Sequence, residues 1–242
     1  MNSFQKRIKL LLTVCLAAIL FSCNNAAEQK AETDKPADST VANAQAPAPA
    51  AFEPFDIVEI SHAVKDYAKW RPAFNTDSVA RKASGMEDIV VGRGLDNPNS
   101  LLIALKASDI SKAKAFAADP RLKEVMEKNG VISKPDVEYY HVIRFNPDSK
   151  EKQWVLVTHK VKDFDAWLKV FDGEGAATRA SFGLIDVVLS RGVDDQNMVH
   201  IVFDIKDMAK AKARMNDPAL KKLMMDAGVE GPPKITFYTT AE

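Results

Sequence analysis

His62-Ala63-Val64-Lys65-Asp66-Tyr67, followed by Trp70 and Phe74, returns later in the chain as His159-Lys160-Val161-Lys162-Asp163-Phe164, followed by Trp167 and Phe171. The correspondence runs on through Arg93-Gly94-Leu95-Asp96 and Arg191-Gly192-Val193-Asp194, then Asp119-Pro120 and Asp217-Pro218, to Tyr140 and Tyr238. One residue of slack falls between Phe74 and Arg81. Agreement over this length means two copies of one supersecondary unit, which constrains architecture more than local propensity does. It does not specify a reaction.

Each copy reads as strand, helix, strand, strand, helix, strand. In the first, 57–62 is a short strand and Asp66 caps a helix that carries Tyr67, Trp70 and Phe74 on one face. Gly85 ends that helix. The spans 86–93 and 101–106 are strands joined by the turn Asp96-Asn97-Pro98-Asn99, and Asp109 caps the second helix. Asp119-Pro120 restarts it, because Asp suits a cap and Pro the first helical position, and 137–145 is the closing strand. The second copy predicts strands at 154–159, 185–191, 198–203 and 235–239, with helices starting at Asp163, Asp207 and Asp217.

This order gives a four-stranded antiparallel sheet with both helices on one face, the ferredoxin-like βαββαβ arrangement. Val58, Ile60 and His62 share one face of the first strand, and Ile57, Glu59 and Ser61 share the other. A single module would leave an apolar sheet face exposed, so the second must cover it. The expected fold is α+β: modules at 55–146 and 152–242, packed sheet to sheet within one monomeric pseudo-dimer. The His-x-Val-x-Asp-[Tyr/Phe]-x-x-Trp opening with its later Asp-Pro resembles small bacterial proteins of the dimeric α/β-barrel superfamily, which includes antibiotic-biosynthesis-monooxygenase-like and cyclase-like members. That resemblance implies a barrel that relatives form by dimerising, and it admits haem-binding, cofactor-free oxygenase and isomerase or cyclase activities.

Ahead of the repeats, Lys6, Arg7 and Lys9 precede an apolar run from Leu10 to Leu20, too short for a membrane span. Leu20-Phe21-Ser22-Cys23 resembles a bacterial lipobox. It implies a signal peptide over 1–22, lipidation of Cys23, and anchoring to the bilayer of the cell envelope, on an outer membrane facing the periplasm. Residues 23–54, rich in Ala, Pro, Glu, Lys, Asp and Thr, have no apolar periodicity and read as a disordered tether. A flexible chain of that length spans about 30 Å root-mean-square.

Composition excludes several function classes. The chain has 2 cysteines, Cys15 in the leader and Cys23, so the mature protein has no thiol for a disulfide or a zinc site. Of 33 basic residues three lie in the leader, leaving 30 against 33 acidic ones, and no basic stripe supports nucleic-acid binding. Zinc-helix, nucleophile-elbow, phosphate-loop and dinucleotide motifs are absent, so no metal and no cofactor is expected.

The candidate chemistry is therefore sparse. His62 and His159 end the first strand of each copy, where imidazole could act as a base or hydrogen-bond the adjoining helix start. Arg93 and Arg191 end the second strand and could steady a ligand anion or pair with Asp96 and Asp194 to close the hairpin. Arg81 and Arg179 read as surface residues. Trp70 and Trp167 belong to aromatic stripes that are core or the floor of a pocket between helix and sheet. His200 has Leu102 as its counterpart, and His141 has Thr239, so the copies have diverged there. An apolar inter-sheet space with few convergent polar groups is expected, which favours binding of a small apolar or aromatic molecule, with Trp70, Trp167 and His200 as the ligand-binding candidates. The alternatives are an enzyme using His62 or His159, and haem binding through one of those histidines.

Overall fold

A computed structural model describes residues 52–241. The leader, Cys23 and nearly all of the 23–54 tether lie outside the described residues. The first repeat comprises β1 (Phe55–Ala63), α1 (Tyr67–Thr76), α2 (Ser78–Ala83), β2 (Met86–Gly94), β3 (Ser100–Ala107), α3 (Ile110–Ala117), α4 (Pro120–Lys128) and β4 (Asp136–Phe145). The second comprises β5 (Gln153–Val161), α5 (Phe164–Glu174), α6 (Ala176–Ser181), β6 (Leu184–Gly192), β7 (Met198–Ile205), α7 (Met208–Met215), α8 (Pro218–Asp226) and β8 (Val229–Thr240).

Aspartates start the helices as the sequence requires. The carboxylates of Asp66, Asp109, Asp119, Asp163, Asp207 and Asp217 each accept from a backbone N–H in the first turn, worth about 1 kcal/mol per cap. The first helix of each repeat is broken in two, at Asp77 and at Gly175. Gly175, at φ +80°, takes up the extra residue of the second copy.

All eight strands close into one antiparallel barrel in the order β1-β3-β2-β8-β5-β7-β6-β4. The two sheets do face each other across the interior. They also hydrogen-bond edge to edge, Gly92–Gly94 of β2 against 238–240 of β8, and 140–145 of β4 against 188–192 of β6. Closure leaves neither repeat an exposed sheet edge. Because strand order and direction repeat after four strands, the pseudo-twofold axis runs along the barrel axis.

Alternation assigns the faces. Val58, Val91, Leu101, Ile103 and Leu105 point outward to the helices of the first repeat, and Val155, Val157, Leu189, Val199 and Ile201 to those of the second. Inward come Ile57, Tyr140 and Val142, with Leu102, Ala104, Trp154, Leu156 and Tyr238 opposite. The interior is not wholly apolar, contrary to the expectation of an apolar inter-sheet space. Glu59, Thr158, Ser190, His200 and Asp204 are also buried, on the inward phase of their strands.

Arg81 and Arg179, expected at the surface, are buried. The Arg81 guanidinium donates to both Asp88 carboxylate oxygens at 2.9 and 2.8 Å and to the Phe74 carbonyl. Arg179 repeats this with Asp186 at 2.8 and 2.6 Å and with the Phe171 carbonyl. Each fork ties the broken first helix to the following strand, a job that a bidentate guanidinium does and a lysine could not.

Candidate functional site

Between the sheet and the helices of each repeat lies a cavity, of about 690 Å³ in the first and about 820 Å³ in the second. Both fall in the usual size range of small-molecule sites. The helices α4 and α8, which bury no residue fully, form one wall of each cavity. Leu122 and Met126 line the first cavity from α4, and Leu220 and Met224 line the second from α8.

His62 and His159 sit in the inner walls of these cavities. They do not hydrogen-bond the neighbouring loop or helix start, as a structural role would require. Both ring nitrogens of each are buried and have no partner among the described residues. Each imidazole meets instead the edge of an indole, His62 with Trp70 at 5.7 Å and His159 with Trp167 at 5.5 Å between ring centroids. Burial without a compensating charge lowers both pKa values to about 4, so both rings are neutral at pH 7.

The aromatic stripes form a ladder. Trp70 stacks on Phe74 at 4.8 Å and Trp167 on Phe171 at 5.2 Å, with Tyr67 and Phe164 beside the indoles. Guanidiniums close the ladder at both ends. Arg81 lies 3.7 Å over Phe74 and Arg93 4.2 Å over Tyr67; Arg179 lies 3.8 Å over Phe171 and Arg191 4.4 Å over Phe164.

This disposes of Arg93 and Arg191 otherwise than expected. Neither pairs with Asp96 or Asp194. Arg93 donates to the Pro98 carbonyl at 2.8 Å, and Arg191 to the Gln196 carbonyl at 3.1 Å, with Asp165 at 3.7 Å. The hairpin backbone is tight enough to present its own oxygen, so the carboxylate is not needed. Neither arginine lines either of these two cavities, and in the register of β1, β3 and β2 Leu101 stands between His62 and Arg93. The structure thus unites each histidine with its tryptophan and separates both from the arginines.

His200 is elsewhere. It lies inside the barrel, where its Nε2 is 2.8 Å from a carboxylate oxygen of Glu59 in the other repeat. Its ring packs against Tyr140 at 4.4 Å. Tyr140 donates to Glu138, and burial, then the charges of Glu59 and Glu138, push its hydroxyl pKa far up. Burial and the Glu59 charge push Tyr238 up to about 12. Glu59 was not singled out from the sequence. The signal that exposed His200 against Leu102 was available for it too, since its counterpart is Leu156. His141, the other unmatched histidine, is half-exposed and pairs with Asp56 at 2.7 Å.

No family model and no curated protein matches the sequence. Solved structures do. An anthrone oxidase-like protein aligns at 14% identity with a TM-score of 0.51, covering 78% of this chain and 92% of its own. A protein of Fusobacterium nucleatum subsp. nucleatum, provisionally assigned as a monooxygenase, aligns at 11% identity and 0.50, covering 78% and 93%. A ferredoxin-fold protein of Listeria monocytogenes related to antibiotic biosynthesis monooxygenases aligns at 12% and 0.46, covering 79% and 97%. At such identities the likeness is one of fold: a ferredoxin-like, dimeric α/β barrel built here from tandem modules.

Proposed function

We propose that this chain binds a small apolar or aromatic molecule in the helix–sheet cavity of each repeat, against Trp70 and His62 in one and Trp167 and His159 in the other. One observation carries the reading. Each cavity has a largely apolar inner wall, with charged residues such as Arg81 and Glu127, or Arg179 and Glu174, also in the cavity lining. That inner wall carries a neutral imidazole whose two nitrogens have no partner among the described residues, and a buried polar group without a partner calls for one. A ligand with an apolar body and one polar atom would supply it. Mass spectrometry of small molecules released on denaturing the purified protein tests this. Apolar or aromatic species should appear, and Leu122→Trp with Leu220→Trp, which push an indole into each cavity, should reduce them. Empty wild-type protein, or release unchanged by the filled variant, would sink the proposal.

A cofactor-independent monooxygenase-like or isomerase-like enzyme is the second reading. A neutral imidazole is a competent base, and fold neighbours are described as oxidase-like and monooxygenase proteins. Turnover of the released molecule by wild type, unaffected by His62→Phe with His159→Phe, would dismiss these bases. Haem is the third reading, since a neutral imidazole with a free nitrogen is the donor that haem iron takes; titration without a Soret shift removes it.

We further propose that the chain is exported and anchored to the envelope bilayer through Cys23. The lipobox-like Leu20-Phe21-Ser22-Cys23 supports this reading; the described residues contain no helix long and apolar enough to cross a membrane. Palmitate labelling that survives Cys23→Ala would refute it.

A further inference from the structure

The two sides of the barrel interior are built from corresponding residues, yet they have opposite character. On one side Trp154 stacks on Tyr238 at 4.6 Å, its indole lies over Gly92, and Leu102 and Leu156 complete an apolar cluster. The repeat correspondence replaces Trp154 by Ile57, Gly92 by Ser190, Leu156 by Glu59 and Leu102 by His200 on the other side. Exchanging a tryptophan for an isoleucine leaves room. A cavity of about 260 Å³ lies there, touched on this side by Ile57, Val142, Val188, Glu59 and His200 and walled from the packed side by Leu102, Ala104 and Trp154.

Two polar atoms of this side have no partner among the described residues. The Ser190 hydroxyl is fully buried and unpaired, and so is Nδ1 of His200, a residue 2% exposed. The carboxylates are already engaged. Glu59 takes Nε2 of His200, and Asp204 accepts from the Ser149 hydroxyl at 2.6 Å and the Glu151 N–H at 3.4 Å. Those last bonds strap the connection between the repeats across the cavity's end of the barrel, where Phe145, Pro147 and Ser149 also line it.

We propose that this half of the barrel interior is a second small-molecule site, distinct from the helix–sheet cavities, for a neutral single-ring hydroxy-aromatic compound of the phenol class. Size sets the ring: an apolar cavity of about 150 Å³ already accepts benzene, and this one is larger. Charge sets the substituent. Glu59 and Asp204 repel a carboxylate or phosphate, and as both have partners neither requires a cation. A hydroxyl both donates and accepts, so it can satisfy Nδ1 of His200, whose residue lines the cavity. Glu59, by holding Nε2, fixes the ring that presents Nδ1.

Phenol itself is the probe, titrated into the full chain carrying ¹⁵N-labelled histidine. The Nδ1 resonance of His200, identified by its loss in His200→Leu, should shift saturably. Movement confined to the His62 and His159 signals would overturn this site while supporting the outer cavities, and no movement at all would overturn it as well. Ile57→Trp with Ser190→Gly copies the packed side into the open one and should weaken phenol binding more than about tenfold, the scale of one lost buried hydrogen bond plus its cavity. Glu59→Leu with His200→Leu copies the apolar pair; benzene should still bind, and phenol should bind about tenfold more weakly than to wild type. Undiminished phenol binding in either variant refutes the assignment. The wild-type spectrum decides alone if a variant does not fold.

Discussion

The outer layers of the two repeats are copies, whereas the two sides of the barrel interior are not. Outside, imidazole, indole, phenyl ring and guanidinium recur with centroid distances that agree within a few tenths of an ångström. Inside, Trp154 and Leu156 fill one side while Ile57 and Glu59 leave the other open and polar. Features kept in both copies include those that any such module needs, such as the Arg81–Asp88 and Arg179–Asp186 forks. Features kept in one copy are released from that requirement, and the buried Glu59–His200 pair is of this kind. A buried ion-capable pair is weak support for stability, since well-packed apolar residues do as well. Leu156 and Leu102 make that point within the same molecule.

Trp154→Ala should break the comparison most severely. Removing the indole empties the packed side and should cost about 4 kcal/mol in chemical denaturation, against about 1 kcal/mol for Ile57→Val at the corresponding position. Equal costs would mean that the two sides are packed alike.

The outer histidines should behave as a matched pair. Their pKa is lowered from 6.5 to about 4, so between those values the unfolded chain binds protons that the folded chain does not. Stability is therefore full above about pH 6.5 and falls as the pH drops toward 4, by about 3 kcal/mol per histidine. Urea titrations across this range should show His62→Phe and His159→Phe each removing a similar share of the slope. A share belonging to only one of them would break the outer symmetry.

The smallest test exchanges small residues across the axis. A Cβ at Gly92 would lie 2.4 Å from Cζ2 of Trp154, so Gly92→Ser should destabilise by about 2 kcal/mol through overpacking. Ser190→Ala removes a buried hydroxyl that has no partner and should be neutral within about 1 kcal/mol. Thermal melts of the two variants measure the contrast. A costly Ser190→Ala would show that this hydroxyl has a bonded partner in the free protein.

Much of this was legible in the chain. The aspartate caps, the hairpin turns and the order of elements follow from local chemistry that needs no tertiary context. The paired tryptophans and histidines reach the cavities on which the proposed function rests. The arginines were misjudged in both directions because a guanidinium's partner is set by what folds beside it. Arg81 and Arg179 lie late in the first helix, where solvent is the default, until Asp88 and Asp186 arrive from the next strand. Arg93 and Arg191 found carbonyls and aromatic faces where carboxylates were nearer in sequence.

The repeat by itself determined the module, its duplication and the need for one sheet to cover the other, because period and patterning are written in consecutive residues. Only the tertiary structure decided that the barrel closes at both seams and that Glu59 of one copy meets His200 of the other. They are far apart in the chain, and each is unremarkable in its own strand. Their meeting depends on which inward residues closure brings together across the axis, a relation that no local stretch of sequence contains.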